Sequence, residues 1–154
     1  MITKMADIRI TREGFEKLKE EYKNLIEKRP HVLIRMVAAR EMGDLSENAG
    51  YHASKDELAR VDRRLRELRL LMKHVEVVEK QDSGNVSVGS SVKVTDGRDV
   101  YEYMIVGRLE ADPVHGKLSE VSPIGSALIG KEVGNEVSVE TPDGQITYKI
   151  LTIK

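Results

Sequence analysis

The chain of 154 residues has no cysteine, no tryptophan and a single phenylalanine. Without cysteine there is no disulfide framework, no thiolate metal site and no cysteine nucleophile, which leaves oxygen ligands and four histidines for any metal chemistry. Those histidines, at positions 31, 52, 74 and 115, form no i,i+4 pair and no cluster, so a catalytic zinc site is not expected. No G-x-S-x-G elbow and no glycine-rich phosphate loop occurs either, and an independent catalytic activity has no basis in the sequence. No window comes near the roughly 18 apolar residues of a membrane span. The opening MITKMADIRI has neither an apolar core nor a small-residue cleavage site. The expectation is a cytoplasmic chain that does not meet a membrane.

What is present is charge, 33% of residues, with 25 Lys and Arg against 26 Asp and Glu. The near balance hides an asymmetry: residues 1–80 hold 18 basic and 15 acidic side chains, residues 81–154 hold 7 and 11. Backbone-loosening residues shift at the same place, since 81–154 carries nine of the twelve Gly and three of the four Pro. A boundary near Gln81–Gly84 follows, dividing a 1–80 domain from an 81–154 domain.

In the first part, apolar or small side chains recur in alternating steps of three and four: Phe15, Leu18, Tyr22 and Leu25, then Val32, Met36 and Ala39. A second run, Tyr51, Ser54, Leu58, Val61, Leu65, Leu68, Met72 and Val75, keeps the same spacing with Arg and Glu on the other faces. This is the heptad seam of a coiled coil. Met42-Gly43-Asp44-Leu45-Ser46 separates the runs, and so short a link makes neighbouring helices antiparallel. The spacing predicts a helical hairpin over about 11–42 and 46–79 with its tip at 42–47, and arms of roughly 45 Å. Pro30 predicts a kink or break near Lys28–His31, because an interior proline removes a backbone hydrogen bond and crowds the preceding turn.

The second part predicts short strands at Ser91–Thr95, Tyr101–Val106, Val137–Thr141 and Gln145–Ile153, with turns at Asp96-Gly97 and Pro142-Asp143-Gly144. Between the hairpins, Ser122–Gly130 has a proline near its start and a glycine at its end, as a short helix does. The fold class is α + β: a helical hairpin, then a small antiparallel sheet with one helix.

The tip holds the residues most suggestive of chemistry. Asp44 and Glu47, three apart at the start of the second helix, fit two readings. One is a capping box, which satisfies free amides and suits the positive end of the helix dipole. The other is a hard divalent cation such as Mg²⁺, which takes only one or two protein carboxylates when phosphates complete its shell. Two exposed acids do not make a tight site alone, but they can complete one that another macromolecule has partly built.

The run AREMGDLSENAGYHASKDE at 39–57 resembles the tip of bacterial Gre transcript-cleavage factors, most closely the GreA members. The stretch YMIVGRLEADPVHGKLSEVSPIGSALIGKEVGNEVSVETPDGQITYKILTIK at 103–154 resembles the C-terminal domain of the same family. The resemblance implies an FKBP-like globular domain that binds bacterial RNA polymerase, and a coiled-coil hairpin that enters the secondary channel. It implies that Asp44 and Glu47 help hold the second Mg²⁺ of the polymerase in a backtracked complex, so that the polymerase cleaves its own transcript. Asn48, Tyr51, His52 and Lys55 match family positions that face the channel or the RNA 3′ end. Ser122, Pro123 and Ile124 lie in the region that docks on the polymerase rim. On this resemblance the protein is an accessory factor, not an enzyme, binds no cofactor tightly by itself, and is a monomer. Gly50 departs from the family, where an acidic residue is common.

Three of these positions also have a plain structural reading: Tyr51 continues the seam, while His52 and Lys55 are solvated helix residues. Arg60, Arg63, Arg64, Arg66 and Arg69 read first as a flank paired with Glu57, Asp62 and Glu67, and second as a surface for nucleic-acid backbone. Sequence-specific DNA reading has no visible apparatus. Prolyl isomerisation, raised by the FKBP-like expectation, meets the difficulty that Tyr101, Tyr103 and Tyr148 are the only aromatics of 81–154. Two further functions stand beside the leading one: an inhibitory relative that occupies the channel, and a coiled-coil adaptor without assisted chemistry.

Overall fold

The computed structural model describes residues 8–44, 46–79, 84–142 and 144–154. Gln81, Asp82 and Ser83 of the expected boundary, most of the opening decapeptide, Leu45 of the tip and Asp143 of the second turn lie outside them.

The long amphipathic runs form α1, Arg12–Glu41, and α2, Ala49–His74. Cross-helix ion pairs show that they run antiparallel: Arg64 meets Glu21, Arg29 meets Asp62, and Arg35 and Lys28 share Glu57. The seam is thin. Val32, Val61, Leu65 and Leu68 are buried, and most of its other apolar positions are half-buried, as expected when two helices share one contact stripe. Arg29 occupies a seam step between Leu25 and Val32, which the apolar pattern passes over, and its guanidinium grips Asp62 through Nε (2.7 Å) and Nη2 (3.2 Å).

Three expectations about the hairpin need correction. α1 runs through Pro30 without the break that is one of the two outcomes expected there. Pro30 is exposed, so water can meet the carbonyl it deprives of a partner. α2 starts at Ala49, three residues late, because Asn48 is its cap. It stops at His74, since Val75–Val78, rich in β-branched residues, is strand β2. β2 pairs in parallel with β1, Ile8–Thr11, as a two-stranded sheet. Both strands escaped the sequence reading because their partner lies more than sixty residues away.

By contact, Glu16–His74 is one compact unit, and the residues on either side of it form another. In the second unit β3 (Ser91–Thr95), β4 (Val100–Val106), β5 (Lys117–Ser119), β6 (Glu136–Thr141) and β7 (Gly144–Ile153) make one sheet in the order β5-β4-β3-β7-β6. All its pairings are antiparallel except β4 with β5, a short parallel edge that the sequence did not signal. Helix α3, Pro123–Leu128, opens on Ser122, whose Oγ accepts from the Gly125 amide at 3.1 Å, with proline in its first turn as expected. Leu128 joins Val92, Val94, Ile105, Val137, Val139 and Ile150 in the core.

Two local features fix the rest of this unit. A Cβ on Gly107 would collide with the Arg9 carbonyl, so β1 lies directly on the glycine backbone. The three tyrosines gather on the sheet: Tyr101 stacks parallel to Tyr103 and meets Tyr148 edge-on, each at 6.0 Å between ring centres. The Tyr101 hydroxyl donates to Asp96, whose other oxygen accepts the Arg98 and Asp99 amides to close the four-residue turn between β3 and β4.

Candidate functional site at the hairpin tip

The chain leaves α1 with a bond from the Met42 amide to the Ala39 carbonyl (3.2 Å), and turns at Gly43. The φ of Gly43 is 135°, a conformation that L side chains rarely adopt. Asp44 then folds onto the next described residue. Its Oδ1 accepts both the Ser46 amide (2.9 Å) and the Ser46 hydroxyl (2.8 Å), an Asx-type turn. Those two donors stabilise the charged form and hold the Asp44 carboxyl below the ordinary aspartate range.

The capping box expected of Asp44 and Glu47 does not form. Asn48 caps α2 instead, its Oδ1 accepting from the Tyr51 amide at 2.9 Å. The same side chain reaches back to α1, with Nδ2 donating to the Ala39 carbonyl at 2.5 Å. Asn48, four residues after Asp44, both caps α2 and reaches the end of α1. Asp44 and Glu47 are thereby relieved of helix duty. Both are exposed, and among the described residues no side chain pairs with the Glu47 carboxylate.

The neighbouring positions fall into place around this loop. Tyr51 is half-buried and meets the His52 ring edge-on at 5.5 Å, while His52 and Lys55 are exposed. The structure therefore brings Asp44, Ser46, Glu47, Asn48, Tyr51 and His52 into one short segment. Of the arginines further along α2, Arg64 is engaged by Glu21 and Glu67, and Arg69 donates to the Tyr22 hydroxyl at 3.3 Å. Pairing with Glu21 crosses the seam and is not visible from α2 alone.

Ser122, Pro123 and Ile124 belong to the sheet unit. With Leu118, Val139 and Pro142 they line an apolar hollow of about 200 Å³ beside the start of α3. Among the described residues, no three His, Asp or Glu side chains converge on a point that would hold a metal. No described helix is long and apolar enough to cross a membrane.

Residues 80–154 match the family described as transcription elongation factor GreA/GreB, C-terminal, and residues 8–77 match the transcription elongation factor N-terminal family. The transcription elongation factor GreA of Thermoanaerobacter pseudethanolicus is 45% identical over 150 residues, covering 94% of this chain and 96% of that protein. GreA of Neorickettsia sennetsu is 43% identical over 155 residues, covering 97% and 98%. Among solved structures, GreA factor homolog 1 of Thermus thermophilus shares 25% identity over 96% of this chain and 99% of that one, with a TM-score of 0.45. This chain belongs to the GreA/GreB family of transcription elongation factors.

Proposed function

We propose that this chain, acting in the cytoplasm as an accessory factor and not as an enzyme, stimulates cleavage of backtracked transcripts by bacterial RNA polymerase. The observation that supports the reading most is the freedom of the tip acids: Asn48 does the capping, so Asp44 and Glu47 project into solvent with oxygens to offer.

The donors suit Mg²⁺. Both are hard oxygens, two in number, as that ion accepts when phosphates and water fill the remaining positions. Asp44 meets Ser46 through Oδ1 alone, which leaves Oδ2 for a ligand. When shared with the polymerase, the ion supplies Lewis acidity for phosphodiester hydrolysis. The chain supplies the rest. The narrow hairpin carries the two carboxylates down the secondary channel. Asp44 stays ionised because the Ser46 donors favour its charged form. Tyr51, His52 and Lys55 line the same segment, where they meet the channel wall or the RNA 3′ end. The apolar hollow at Ser122, Pro123 and Ile124 is the docking contact on the polymerase.

Cleavage of a purified backtracked complex, with and without the protein, tests this. Faster release of a 3′-terminal fragment is expected, together with loss of the effect in Asp44→Asn/Glu47→Gln while polymerase binding persists. Slower cleavage would instead identify an inhibitor that occupies the channel. Absence of polymerase binding would identify an adaptor for another partner.

A further inference from the structure

We propose that Asn48 is the positioning residue of the tip, joining the last turn of α1 to the first turn of α2 and so fixing the loop from which Asp44 and Glu47 project. The inference rests on the functional reading above and assigns to Asn48 a role other than contact with RNA or channel.

The geometry is specific. The Ala39 carbonyl lies in the last turn of α1, where the Met42 amide at 3.2 Å takes one of its lone pairs and leaves the other, and the Tyr51 amide lies in the first turn of α2, where amides lack helical partners. The carbonyl has a lone pair to offer a donor, and the amide needs an acceptor. A carboxamide carries both on one short stem, and Asn48 uses each: Nδ2 on Ala39 and Oδ1 on Tyr51. Aspartate would keep the acceptor and lose the donor, setting an anionic oxygen against a carbonyl oxygen. Alanine would lose both.

The surroundings agree. A Cβ built on Gly50 would lie 3.5 Å from Asn48 Oδ1 and 3.9 Å from the Ala39 Cβ, so the two helices close to ordinary contact distance beside the amide. Asn48 is half-buried there, whereas Asp44, Ser46 and Glu47 are exposed. A loop pinned at both stems samples fewer shapes, and ligands it carries reach a shared ion with less ordering left to do.

The experiment compares wild type, Asn48→Ala, Asn48→Asp and the double variant Asp44→Asn/Glu47→Gln in single-turnover cleavage of a purified backtracked complex, across factor and Mg²⁺ concentrations. Both Asn48 variants are expected to lower the rate at saturating factor by about tenfold to a hundredfold. They are also expected to raise the Mg²⁺ midpoint and to leave the half-saturating factor concentration within about twofold. Asn48→Asp, which keeps the helix cap, should fall with Asn48→Ala. An unchanged saturated rate, or a change confined to the half-saturating concentration, overturns the proposal, the second outcome marking Asn48 as a contact residue. If the double variant loses cleavage and the Asn48 variants do not, positioning alone fails. If the double variant retains cleavage, the functional reading fails with it. Amide exchange on the free protein gives an independent arm. Asn48→Asp should speed exchange of the tip amides by about tenfold and leave those near Val61–Leu68 unchanged, whereas unchanged tip exchange counts against the role.

Discussion

The Glu110 carboxylate closes the start of α1 from far along the chain, accepting the Thr11 amide at 2.8 Å through one oxygen and the Thr11 hydroxyl through the other. Thr11 Oγ1 in turn accepts from the Gly14 amide at 3.1 Å, so a local cap is itself held by a distant acid. Glu110→Ala strips two donors of their partner and is expected to cost about 1–3 kcal/mol in urea unfolding. Gly14→Ala places a methyl where the carboxylate sits and should push it aside. In the Gly14→Ala background the Glu110→Ala penalty should therefore shrink well below its value in wild type. A penalty near zero in wild type would show that the latch carries no stability, and equal, non-zero penalties in both backgrounds would show that the methyl does not displace the carboxylate.

This latch also marks where sequence reasoning stops. Heptad spacing located both helices, alternation located four strands of the five-stranded sheet, and proline and glycine located α3, because each signal is local to the element it predicts. Thr11 with Glu110, Ile8–Thr11 with Val75–Val78, and Arg64 with Glu21 pair residues whose proximity only the folded chain creates. At the tip the acids were legible but their local role was not. Asp44 with Glu47 matches a capping box as well as any short motif does, and nothing within the motif says that Asn48 can reach Ala39.

Ser46 sets the ionisation of Asp44. Its amide and hydroxyl both donate to Asp44 Oδ1 and depress the carboxyl, the amide more strongly. For a group lowered on folding, the stabilisation is present above the unfolded pKa and is lost as pH falls through the folded value. An NMR titration of the Asp44 carboxyl carbon should therefore place wild type below an ordinary aspartate. Ser46→Ala, which removes the hydroxyl and keeps the amide, should move the midpoint part of the way back up. A midpoint that does not move would mean the hydroxyl contact is absent in solution.

Gly50 lies in the first turn of α2 at a spot with room for a side chain, since the nearest atoms to a built Cβ are at 3.5 and 3.9 Å. Nothing in the packing demands glycine there, and helical glycine is worth up to about 1 kcal/mol less than alanine. Gly50→Ala is expected to raise the unfolding free energy by up to that amount, and Gly50→Glu to do likewise with added help from the positive end of the helix. Thermal or urea unfolding checks both. A destabilised Gly50→Ala variant would mean that Asn48 and Ala39 crowd the added methyl.

Arg29 and Leu68 test what holds the hairpin together, because both lie on the seam but by different physics. The Arg29–Asp62 pair is half-exposed, with side-chain accessibilities of 42% and 30%, so water and salt screen it. It acts chiefly on register, since sliding one helix past the other separates the partners. Leu68 is fully buried, and its truncation removes apolar contact that no salt replaces. Leu68→Ala is expected to cost about 2–4 kcal/mol at any ionic strength. Arg29→Ala should lower stability by a much smaller amount at low salt, and the difference from wild type should fade as salt approaches 1 M. Urea unfolding of the two variants across a salt series separates the cases. A large, salt-independent loss in Arg29→Ala would show that the arginine stem packs the seam as an apolar side chain and that its charge is incidental.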